Sequence, residues 1–71
     1  MDLFIFKTNL NSDYKIFRLR KALSDRTLIK KWSVDLEDVD KVLKVIVNKG
    51  IEQLEVIAML ENQGIHCEEL E

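Results

Sequence analysis

The spacing of apolar residues alternates between strand period and helix period along this chain, and that alternation limits the folds open to it. Leu3, Ile5 and the aromatic pair Phe4 and Phe6 form a continuous apolar run, short enough for a buried central strand. A polar cluster, residues 8–13, breaks it. Asn11 or Ser12 is placed to cap a following helix, and Asp13 suits the positive helix start. Ile16, Leu19 and Leu23 then fall on one helical face that Ala22 extends, with Arg18, Arg20 and Lys21 pointing away. Phe17 lies off that stripe, either packed along a sheet edge or exposed.

Residues 24–27 read as a turn. Lys30, Trp32, Val34 and Leu36 alternate with Lys31, Ser33 and Asp35, which predicts a strand with Trp32 and Val34 inward. Glu37, Asp38 and Asp40 mark an acidic hairpin loop. The β-branched segment 41–47 is the next strand, with Leu43, Val45 and Val47 toward the helices. Asn48 is positioned to cap a second helix reaching about Gln63, whose apolar side is Leu54, Ile57, Ala58 and Leu60, widened by Val56 and Met59. Gly64 is the expected stop, and residues 65–70 form a last strand with Ile65 and Cys67 on one face.

This order, βαββαβ, predicts one α+β domain over residues 1–71: a ferredoxin-like two-layer sandwich with two helices on one face of an antiparallel sheet of strand order 4-1-3-2. The expected core is Ile16, Leu19, Leu23, Trp32, Val34, Val45, Leu54 and Ile57. A chain of 71 residues with one cysteine has no disulfide framework, so every apolar stripe counts toward stability.

Charge narrows the function classes. With 34% charged residues of both signs and a net charge of −2, only a modest basic stretch stands out, formed by Arg18, Arg20, Lys21, Arg26, Lys30 and Lys31. Acidic residues dominate elsewhere, notably Glu68, Glu69 and Glu71, so nucleic acid is not an expected partner. No stretch approaches a membrane helix and the first residues lack the pattern of a signal peptide, so a cytoplasmic location without membrane contact is expected.

The loop after the first strand, Asn9-Leu10-Asn11-Ser12-Asp13-Tyr14-Lys15, precedes helical apolar positions at Ile16, Leu19 and Leu23, and the second helix ends in Gln63-Gly64-Ile65-His66-Cys67. In this register the chain resembles the heavy-metal-associated domain family of copper chaperones and metal-pumping ATPases. The resemblance implies the same fold and a metal loop of the form G-M-x-C-x-x-C. Ser12 and Lys15 stand where that motif has its two thiolates, and Leu10 where it has methionine. Soft metals select sulfur ligands. A hydroxyl replaces thiolate poorly, and an ammonium repels a cation by about 1 kcal/mol at ~4 Å in water and by more at lower dielectric. The expectation is a degenerate member with no metal ligands and no cofactor. His66 and Cys67 are adjacent, hence on opposite strand faces, which leaves Cys67 as a buried thiol and His66 exposed.

No catalytic residues are expected. One histidine and one cysteine on opposite faces do not form a dyad, and two glycines, Gly50 and Gly64, cannot form a phosphate loop. An acylphosphatase-type arginine loop is missing from Lys7-Thr8-Asn9. With Phe4 and Phe6 toward the helices, Leu3, Ile5, Val42, Ile46 and Leu70 lie on or beside the uncovered sheet face, and with the first strand flipped Phe4 and Phe6 would lie there instead. A contiguous apolar patch usually marks an interface. The expected role is therefore protein contact, most simply as a homodimer through the open face, with helix two as a second candidate surface. The alternatives are a small-molecule-sensing regulatory domain of the βαββαβ type and a residual metal chaperone.

Overall fold

A computed structural model describes residues 2–70; Glu71, counted above among the acidic residues, lies outside them. The elements are β1 (Asp2–Thr8), α1 (Asp13–Ala22), β2 (Ile29–Asp35), β3 (Val42–Val47), α2 (Gln53–Glu61) and β4 (Cys67–Glu69). They form the expected βαββαβ order, and the four antiparallel strands lie in the order β2-β3-β1-β4, the predicted arrangement read from its other edge.

The period-2 signal is obeyed on the central strands. Leu43, Val45 and Val47 are fully buried, while Lys44 between them is exposed. On β1, Phe6 is fully buried and Phe4 packs against the core, which fixes the phase left open by the sequence. Leu19 and Leu23 of the first helical segment, Val56 and Leu60 of α2, and Ile65 and Cys67 complete one cluster on this side of the sheet. Ser12 caps α1: its side-chain oxygen accepts the Lys15 N–H at 3.2 Å.

Four expectations fail. Leu54 is 76% exposed, and the buried stripe of α2 is Val56 and Leu60, with Ile57 and Met59 partly buried. An α2 segment apolar at five consecutive positions, 56–60, carries little phase information, so contacts with the sheet decide which side turns inward. Val56 therefore belongs to the core and is no part of an outer surface on helix two. Asn48 does not cap α2, because Gly50 at φ +91° turns the chain and the helix starts only after Glu52. There the Glu52 N–H donates to the Glu55 carboxylate at 3.3 Å. Finally, β2 begins at Ile29, which is buried, and its pairing skips a residue between Ile29 and Lys31. Trp32 and Val34 pack inward as expected; the bulge brings Ile29, in place of Lys30, onto the same side, and Leu36 falls beyond the end of β2, 44% exposed. Gly64 does stop the helix region as expected, at φ +80°, in the left-handed range that glycine tolerates.

Candidate functional site

Two places carry the sequence-predicted residues: the loop between β1 and α1, and the sheet face opposite the helices.

The loop is tied down from three sides. Thr8, the last residue of β1, is turned inward, and its hydroxyl donates to the Lys41 carbonyl at 2.6 Å while accepting the Leu10 N–H at 3.3 Å. Leu10 is 1% exposed and serves as a core side chain. Asn9 staples the loop to the segment before β4: its N–H donates to the His66 carbonyl at 3.2 Å, and its side-chain oxygen accepts the His66 N–H at 2.9 Å. The Lys15 ammonium reaches back to the Asn9 carbonyl at 3.4 Å. Ser12 Oγ is occupied as a helix cap. Ser12 and Lys15 are thus one turn apart at the start of α1, one engaged with a backbone N–H and the other a cation against a carbonyl.

Near the loop, Cys67 is 4% exposed and faces the core, whereas the His66 side chain is exposed, with Nε2 3.3 Å from a Glu68 carboxylate oxygen. Burial pushes the Cys67 thiol from an ordinary 9.0 up to about 11, and the Glu61 carboxylate adds to the rise. Among the described residues, no three His, Cys, Asp or Glu side chains gather as a metal set.

The opposite sheet face is built from the alternate positions of the same strands. Leu3 pairs with Ile46, which pairs with Lys31 on β2. Ile5 pairs with Lys44, which pairs with Ser33, and the Leu70 N–H donates to the Ile5 carbonyl at 2.9 Å from the β4 side. Val42 pairs with Asp35, and Lys7 with Glu68. Leu3 is 55% exposed, and Ile5, Val42, Ile46 and Leu70 are each half-buried, so all five predicted residues come together on or beside one apolar field. Lys31 toward the β2 edge and Glu68 on β4 fringe it, and the exposed Lys44, between Val42 and Ile46 on β3, interrupts it.

Of the two places that the sequence left open for Phe17 the structure takes the exposed one, and the aromatic–cation pairs on this outer side of α1 were not read from the sequence. Tyr14 and Phe17 are 66% and 53% exposed and lie under cations one turn later: the Arg18 guanidinium carbon is 5.8 Å from the Tyr14 ring centre, and Lys21 Nζ 5.0 Å from that of Phe17. The signal was present as two i, i+4 aromatic–cation pairs. No helix among the described residues is long and apolar enough to cross a membrane.

No protein-family model matches the sequence, and no curated protein matches it. Solved structures do. A copper binding domain from a P-type ATPase superposes with a TM-score of 0.82 at 16% identity, covering 100% of this chain and 96% of that one. A yeast copper transporter domain, studied in apo and Cu(I)-loaded states, gives 0.78 at 16% identity over 97% and 94%. The apo heavy-metal-associated domain of the copper chaperone for superoxide dismutase gives 0.79 at 22% identity; it matches 97% of this chain, which spans 66% of that one. The geometry and these likenesses agree on one conclusion: the chain has the fold of heavy-metal-associated domains.

Proposed function

We propose that this chain is a non-catalytic interaction module on the heavy-metal-associated fold, free of metal at the 9–15 loop, which contacts protein through its open sheet face. The observation that carries this reading is the apolar row Leu3–Ile46 beside Ile5 on a face that neither helix covers. Water against such a field is displaced favourably by a matching surface. The simplest matching surface is a second copy. A two-fold axis parallel to the strands lays the β2 edge of one copy over the β4 edge of the other and brings the central strands β1 and β3 of the two copies, with Leu3, Ile5 and Ile46, together. The metal-free part rests on the side chains at the loop: Lys15 brings a positive charge to the place where a cation would have to sit, and Ser12 already serves the helix.

Sedimentation velocity over a concentration series, with and without Cu(I), tests both parts. The expected result is a rise to twice the monomer mass that Leu3→Glu abolishes and Cu(I) leaves unchanged. A monomer at every concentration would remove the second copy as partner. Stoichiometric Cu(I) retained by the chain would remove the metal-free reading.

A further inference from the structure

We propose that a groove at the bulged start of β2 binds a small organic anion with an apolar body. The groove wraps the β2 edge and shares Lys31 and Ile46 with the margin of the open face.

The sheet order places β2 at an edge. Its pairing passes from Ile29 opposite Val47 to Lys31 opposite Ile46, so Lys30 is the extra residue of a bulge. Bulges re-aim side chains and bend the strand. Here the result is a concavity of about 740 Å³ between the bulge and the end of α1, a volume within the range of small-molecule sites. Its floor is apolar, built on Leu23 and Ile29, which are 4% and 2% exposed, and the indole of Trp32 forms part of the wall. Arg26, Lys30 and Lys31 supply its charge. No carboxylate lines it, although the chain as a whole carries a net charge of −2. None of the three cations forms an ion pair among the described residues.

The rim that presents Arg26 is held in place before any ligand arrives. The Asp25 carboxylate accepts the Thr27 hydroxyl and the Thr27 N–H, the latter at 2.9 Å. These bonds, the hydroxyl's first, hold the Asp25 carboxyl below its ordinary 3.8, so the turn keeps its acceptor into acid. From the far end of β3, the Asn48 side-chain amide donates to the carbonyls of Arg26 and Thr27, both at 3.0 Å. A preformed rim lowers the ordering cost of binding.

Cations at the rim and an apolar floor select for both halves of an amphipathic anion. A bare anion leaves the floor wet, and a neutral apolar molecule leaves the cations unmatched. A carboxylate or phosphate monoester on an aliphatic or flat body satisfies both, with guanidinium and ammonium groups supplying charge-assisted hydrogen bonds.

Trp32 is the chain's only tryptophan, so its emission reports on the groove. The experiment titrates the intact chain with octyl phosphate, below its micelle-forming range, against 1-octanol and inorganic phosphate. The expected result is a saturable emission change with octyl phosphate alone, weakened about tenfold in Lys30→Glu/Lys31→Glu. Both lysines are exposed, and the circular dichroism of the variant should match that of the parent. Backbone amide NMR on the unaltered chain gives a second readout, with shifts centred on residues 23–32. The proposal is overturned by an equal response to 1-octanol, by equal affinity for inorganic phosphate, by undiminished binding in the variant, or by shifts centred elsewhere. Binding to anionic vesicles with no response to dissolved octyl phosphate would also overturn it, in favour of a membrane surface.

Discussion

The two faces of this sheet are made by the same four strands, yet they differ in what a side chain there is asked to do. On the covered face, Phe6, Leu43, Val45 and Val47 are wholly removed from water and meet Leu19, Val56 and Leu60 from the helices. On the open face, one residue away along each strand, Leu3 is 55% exposed and Ile5, Val42 and Ile46 keep partial contact with solvent. Burial of an apolar side chain contributes about 1.5–3 kcal/mol when complete and a fraction of that when partial. The first face therefore accounts for the stability of the isolated chain. The second contributes little to it, so its apolar composition calls for another explanation, and a partner supplies one.

The sharpest way to break this comparison is to truncate one residue on each face. Phe6→Ala should cost ~3–5 kcal/mol, enough to leave a domain of this size largely unfolded, while Leu3→Ala should cost less than ~0.5 kcal/mol in dilute monomer. Urea unfolding followed by circular dichroism checks both, and equal losses would show that the open face is a second core. A smaller effect is expected at Thr8, the one polar residue in the buried set among the described residues. Thr8→Val keeps the volume but leaves the Leu10 N–H and the Lys41 carbonyl without their shared hydroxyl, at a cost of about 1–3 kcal/mol. A neutral outcome in the same urea assay would mean that water takes over both bonds.

The gentlest probe is pH. The Cys67 thiol stays protonated in the folded chain up to about 11, whereas it ionises near 9.0 when unfolded. Above 9.0 the unfolded chain binds fewer protons than the folded one, so this group's contribution to stability declines as pH rises from 9.0 toward 11. Cys67→Ala should flatten that alkaline limb of a melting-temperature profile, and an unchanged slope would show that Cys67 does not set it.

The fold was legible in the sequence where periodicity was clean. Segment 41–47 and the helical stripe Leu19–Leu23 predicted both their element and their buried side. It was illegible where apolar residues surround the helix, as in α2, since Leu54 and Val56 are equally apolar and only the three-dimensional fit separates them. The bulge at Lys30 was hidden because an inserted residue changes phase without changing composition. Of the candidate surfaces, Val42 and Ile46 could be read from alternation, whereas the continuous apolar run 3–6 left the side of Leu3 and Ile5 open until the burial of Phe6 set it. The groove beside β2 could not be read at all, because it joins the end of a helix, a turn and a bulge that no linear pattern brings together.

The strand order has a kinetic consequence. The one local pairing is the β2–β3 hairpin, whereas β1 must find β3 and then β4 from across the sequence, a separation marked by the bond from His66 to Asn9, 57 residues apart. Closing such loops costs chain entropy before the core compensates for it. The hairpin can form and dissolve many times before β1 inserts between its two neighbours. Until it does, Leu3, Ile5 and Phe6 have neither face of the sheet to occupy. Amides at the centre of β1 should accordingly exchange with solvent only when the whole molecule opens, while those of the hairpin's outer strand escape sooner.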